Sequence, residues 1–210
     1  MDELTPKNEY EERKRAKQEM RDSSHKSAQK AQSTKSFIGY FILVLILFAL
    51  GYWFFVSVRN ELPKSEDFSV VFDDQGRNHI KEGDEHPPYN SNPPSSGWHY
   101  ANPALIGFYD RDEALFDEQV IHNLEHGDIW IAYHPRISDS ILEELETFDE
   151  AKVIITPRQS NDTDIALVAW RRIDSFDIEN DMLDNQRIQD FISRYKNRGP
   201  ERISGPSPQR

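Results

Sequence analysis

Residues His122–His134, HNLEHGDIWIAYH, contain the change of periodicity that decides the fold of this chain. Upstream of the motif, Asp112 to His126 has apolar residues at helical spacing, and Gly127 supplies a stop. Asp128–His134 then alternates between apolar and polar side chains and predicts a strand. Further segments extend this reading in both directions. Phe68–Phe72 (FSVVF), Lys152–Thr156 (KVIIT) and Asp164–Arg172 (DIALVAWRR) are strand-like, the second stopping at Pro157. Ser138 caps a helix to about Phe148 with Ile141, Leu142 and Leu145 on its apolar side. Asn185–Tyr195 closes the domain as a helix with Ile188, Phe191, Ile192 and Tyr195 on one side. Short strands interleaved with two or three helices predict an α+β domain with a small, mostly antiparallel sheet.

That domain occupies only part of the 210 residues. Phe37–Val58, FIGYFILVLILFALGYWFFVSV, has neither charge nor proline. At ~1.5 Å per residue it matches a hydrocarbon core ~30 Å thick. Tyr40, Tyr52 and Trp53 lie toward its ends, where interfacial aromatics are favoured. The run is longer than a cleaved leader's ~7–15 apolar residues, and a long charged region precedes it, so it reads as an uncleaved signal anchor. Arg21, Lys26, Lys30 and Lys35 upstream face one acid, Asp22, whereas Arg59 and Lys64 downstream are mixed with Glu61, Glu66 and Asp67. The positive-inside rule then places the N-terminus in the cytoplasm and the rest outside the cell membrane. The expected organisation is a disordered charged tail at 1–36 with a transient helix around Glu9–Met20, a transmembrane helix at 37–58, a linker at 59–66, a folded domain at 67–198 and a disordered tail at 199–210.

Composition narrows the chemistry. Residues 59–210 hold 16 basic and 30 acidic groups, which argues against a nucleic-acid partner. The absence of cysteine excludes disulfides, cysteine zinc sites, iron–sulfur clusters and a thiol nucleophile. No phosphate-cradling glycine loop or nucleophile elbow is present.

Histidine carries the positive signal. His79, His86, His99, His122, His126 and His134 all follow the apolar run, five of them between residues 79 and 126. His122 and His126, at i and i+4, project to one side of a helix and can grip a single metal ion. Glu125 reaches the same side as a ligand, a second-shell partner or a base. The spelling H-x-x-E-H is also that of one class of zinc peptidases. A proline-stiffened loop, PPYNSNPPSSGWHY, would bring His99 over this pair, with His79 as a fourth ligand. His86, among acids and prolines, and His134, before Pro135, read as incidental; His25 is in the charged tail. An ordinary helix end with exposed histidines, and a loop that is only a cover, are the plainer readings.

Together His79, Tyr89–Tyr100 (YNSNPPSSGWHY), Gly107–Tyr109 (GFY), His122–Tyr133 (HNLEHGDIWIAY) and Leu167–Arg172 (LVAWRR) resemble the DUF3105 family, a domain of unknown function that is commonly exported or membrane-tethered in bacteria. The family's recurring histidines fall on His79, His99, His122 and His126. Two positions depart from the pattern. Ile106 stands where many relatives have a cysteine, which removes a thiolate from the expected ligands. Arg171 stands where the relatives' AWGR-like segment has glycine.

Three functions are compatible with these residues. The first is a membrane-anchored domain binding zinc or copper through His79, His99, His122 and His126. The second is a small zinc hydrolase with Glu125 as base. The third is a metal-free module that uses the proline loop to bind an unidentified protein partner.

Overall fold

A computed structural model describes residues 6–61, 63–201 and 208–210. The parts of the expected segments that fall at 1–5, 62 and 202–207 lie outside the described residues. The chain divides into two compact units, residues 1–60 and 61–210.

The first unit is one helix, α1 (Pro6–Glu61). Proline suits a first helical position, where its missing N–H is not needed. The Glu, Lys, Arg, Gln and Ala residues that follow are good helix formers. The tail read as a solvated segment is therefore continuous in conformation with the apolar run, and the local helix around Glu9–Met20 is part of it. Within α1, Tyr40–Ser57 is long and apolar enough to cross a membrane, with a mean hydropathy of 2.3 and none of the window buried within the protein.

The second unit is built on a six-stranded sheet. Its strands are β1 (Val70–Val71), β4 (Gly107–Phe108), β5 (Ile129–Tyr133), β6 (Val153–Pro157), β7 (Ile165–Ala169) and β8 (Arg172–Phe176), in the order β1-β8-β7-β5-β6-β4. The expectation of a mostly antiparallel sheet is corrected to a mixed one. β5 and β4 both run parallel to β6, while β5–β7, β7–β8 and β1–β8 are antiparallel. The parallel pair β5–β6 follows from the helix between them, α3 (Asp139–Glu146), since a crossover through a helix returns the chain in the same direction.

Helices cover both faces, so β5, β6 and β7 are buried at every position. Ile129, Ile131 and Tyr133 of β5 pack with Ile141 and Leu145 of α3 and with Ile188, Phe191 and Ile192 of α4 (Asn185–Tyr195). Trp130 and Ala132, on the opposite face, pack with Val120 and Leu124 of α2 (Asp117–Glu125). Each such aliphatic side chain contributes about 1.5–3 kcal/mol on burial. Ser138 and Asp184 cap α3 and α4 by accepting from the backbone N–H groups of Ile141 and Arg187. α2 starts five residues later than its pattern predicts. The Glu113 carboxylate accepts from the Asp110 N–H at 3.0 Å and pairs with Arg210, which holds the preceding acidic stretch in a turn.

The segment expected as a linker is already bound by Lys64. The N–H groups of Lys64 and Ser65 donate to Asp190 Oδ2 on α4 at 2.8 and 2.5 Å. At the other end of the domain, Pro208 accepts from the Ile106 N–H at 2.7 Å and the Arg210 N–H donates to the Ile106 carbonyl at 2.9 Å, extending the sheet beyond β4.

The turn from α2 into β5 is closed by Gly127, with φ of 79°. A Cβ there would lie 2.8 Å from the Gly199 nitrogen and 2.9 Å from Asn197 Cα, because Asn197–Gly199 passes directly over it. Gly127→Ala is expected to lower unfolding stability by about 1–3 kcal/mol through backbone strain and displacement of this segment, as measured by urea denaturation.

Candidate metal centre

Three elements meet at the solvent-facing side of α2. The loop between β1 and β4 forms a two-stranded parallel pair, β2 (His79–Ile80) and β3 (His99–Tyr100), in which His79 is the register partner of His99. Residues twenty apart in sequence thus become lateral neighbours. Hydrogen bonds that leave Ser95 and Ser96 fully buried hold the loop: the Arg171 N–H donates to the Ser95 carbonyl at 2.8 Å, and the Tyr89 hydroxyl donates to the Trp98 carbonyl at 2.6 Å. Asn123, buried on α2, accepts from the Ala104 N–H at 2.8 Å and donates to its carbonyl at 3.1 Å. This fixes the far end of the loop to the helix.

The ring centroids of His79, His99 and His122 form a nearly equilateral triangle with sides of 5.0, 5.1 and 5.2 Å. Glu125 lies against it. His79, His99, His122 and Glu125 each offer one ligand atom, and these atoms all fall within 4.8 Å of one another. Glu125 Oε2 is 3.0 Å from His99 Nε2 and 4.0 Å from His79 Nε2. Two rings are oriented by the backbone. His99 Nδ1 is 2.8 Å from the Gly97 carbonyl and His122 Nδ1 is 2.7 Å from that of Tyr100. A carbonyl only accepts, so both Nδ1 atoms carry the proton and both Nε2 atoms retain the lone pair when the ring is neutral. This arrangement readies a ligating histidine for a metal.

The electrostatics are unusual. Burial pushes the pKa values of His99 and His122 below the ordinary histidine value. His99 Nε2 lies within hydrogen-bond distance of Glu125 Oε2, at 3.0 Å, and a neutral ring with its proton on Nδ1 would offer that carboxylate none. Glu125 is itself 4% exposed in its side chain and is the last residue of α2, where the helix dipole disfavours negative charge. Its one close cationic neighbour among the described ion pairs is Arg77, at 3.5 Å from Oε1. A cation between Glu125 and the imidazoles would satisfy every one of these groups.

His126, expected as a ligand, lies outside the converging group, whose fourth member is Glu125. The His126 ring packs edge-on against His122 at 4.6 Å, and its Nε2 lies 3.9 Å from Glu201. His86 contacts Glu118 at 3.2 Å, and His134 Nδ1 accepts from the Arg136 N–H at 3.1 Å; neither joins the group. Ile106 is 2% exposed and packs in the apolar core. Sequence reading missed Arg77 and Asn123. Nothing in the spacing of Arg77 marks it, whereas Asn123 could have been singled out as a polar residue on the buried side of the HNLEHG helix.

The lowered pKa values of His99 and His122 set a direction for pH dependence. In the unfolded chain both protonate near the ordinary value of about 6.5, while in the fold they stay neutral to lower pH. Their stabilising contribution is full above that value and is lost as pH falls toward the folded values. The unfolding free energy of the metal-free protein should therefore drop between pH 7 and 5, with a shallower slope in H99N and H122N, as followed by denaturant titration at several pH values.

Comparison with known proteins adds a family and no activity. No curated protein and no solved structure matches the chain. A family model described as "Protein of unknown function (DUF3105)" matches residues 79–207, which include three strands of the sheet's centre, the proline loop and all four converging residues. With more than half of its length matched, this chain belongs to the DUF3105 family.

Proposed function

We propose that the chain is a single-pass membrane protein whose folded domain binds one transition-metal ion through His79, His99, His122 and Glu125. The observation that carries this reading is the pair of backbone-oriented imidazoles whose free nitrogens accompany a buried carboxylate. Zinc fits the donor set best, because it accepts imidazole at ~2.0–2.1 Å and carboxylate at ~2.0–2.2 Å. Copper(II) is the second candidate; copper(I) would want the soft thiolate or thioether donors that this group lacks. Glu125 lies within ligand reach of the rings and serves here as a ligand, so its use as the free base of a hydrolase is the weaker reading. The apolar window Tyr40–Ser57 and the basic residues before it support a cytoplasmic N-terminus, with the domain on the outer side of the cell membrane.

The purified full-length chain in detergent is expected to bind one zinc ion. H99A, H122A and E125Q should each weaken binding by more than the 10–100-fold typical of an outer-shell change. H126A should weaken it less, which separates this ligand set from one containing His126. Saturating zinc should also raise unfolding stability by about 2.7 kcal/mol at a hundredfold excess over Kd. Isothermal titration with zinc and copper, together with chelator-dependent unfolding, measures both effects. Absence of stoichiometric binding of either metal would refute the proposal.

A further inference from the structure

Access to the histidine–glutamate group is one-sided. His99, His122 and Glu125 are buried, whereas the side chains of Arg77 and His79 are each 50% exposed. These two side chains form the exposed edge of the group.

Arg77 has no role as a metal ligand, yet it is drawn into the group. Its guanidinium faces Glu125 Oε1 while Oε2 of the same carboxylate faces the rings. In the metal-free state one positive and one negative charge cancel, and neutral imidazoles add nothing. A divalent ion changes that sum to +2 at a half-exposed mouth, in a domain where acidic groups outnumber basic ones by 30 to 16. An ion paired with Glu125 would weaken the hold of that carboxylate on Arg77 and leave its planar donor fork available to another acceptor.

The group reaches solvent on the side of Arg77 and His79, whose side chains are each half exposed. Building on the metal reading, we propose that the loaded centre binds a small oxyanion of the carboxylate or phosphate class, with one oxygen added to the metal as a fifth donor and another on Arg77. The metal-free protein lacks this site.

The test uses the full-length chain in detergent, loaded with one equivalent of cobalt(II), whose visible absorption reports changes in its ligands. Inorganic phosphate and acetate are titrated separately at constant ionic strength in a non-coordinating salt. A saturable spectral change is expected with at least one of them, and calorimetry on metal-free protein should show no binding. R77Q should keep one cobalt per chain and bind the anion at least about tenfold more weakly, as expected for loss of a charge-assisted fork. R77K should fall between R77Q and the wild type. No saturable response at millimolar anion, or equal affinity in R77Q, overturns the oxyanion site while leaving the metal site standing. Failure of the wild type to load cobalt overturns both. Should R77Q alone lose cobalt, R77K decides: weaker anion binding supports the site and unchanged binding overturns it.

Discussion

A carboxylate buried at the C-terminal end of a helix is a costly arrangement, and the folded domain is organised around one. Glu125 is buried, ends α2 where the helix dipole is negative, and lies 3.0 Å from His99 Nε2. Arg77, half exposed at 3.5 Å, offsets part of that cost. A cation bound among the rings would offset the rest, and three oriented or adjacent imidazoles surround the position it would take. Desolvation and charge pairing are thus two sides of the same feature: the low exposure that makes Glu125 expensive without a partner also strengthens its attraction for a metal.

Much of the remaining structure holds that group in place. The sheet buries the apolar face of α2 through Trp130, Ala132 and their neighbours, which fixes the helix axis. Asn123 ties the end of the proline loop to the helix, and the pairing of β2 with β3 sets His79 beside His99. The segment after α4 closes over the helix end. The Asn197 N–H donates to the Gly127 carbonyl at 2.7 Å and the Glu201 N–H to that of Glu125 at 3.0 Å, so carbonyls that the helix leaves unpaired gain donors. Gly127 is required here both for its left-handed backbone and for the close passage of Asn197–Gly199.

The elements that could be read directly are those with local causes. Ser138 and the periodic residues of α3, and the apolar side of Asn185–Tyr195, depend on near neighbours alone, and both helices lie where the pattern places them. Asp164–Arg172 reads as one strand but is the first arm of a hairpin. The turn at Trp170 and Arg171 has no glycine or asparagine to mark it, and Arg171 adopts φ of 63° while its Nε donates to the Phe72 carbonyl. Glycine at this position would meet the same backbone demand without strain. Strand direction escaped for a related reason: whether β5 and β6 run parallel depends on where α3 packs, which no residue within either strand records.

Local chemistry in the sequence is enough to establish the apolar segment, the α+β character, the absence of cysteine and the concentration of histidines between residues 79 and 126, since each follows from residue type and short-range spacing. It also brings together His79, His99 and His122 as candidates. Which of Glu125 and His126 lies with the three rings was decided by the tertiary structure. Both residues lie on the same turn of helix at suitable spacing. The paired strands β2 and β3 reach α2 on the side of Glu125, and the returning segment 197–201 covers the side of His126. Side chains adjacent on a helix point in directions about 100° apart, and only the packing of distant chain segments decides which of them faces the other ligands.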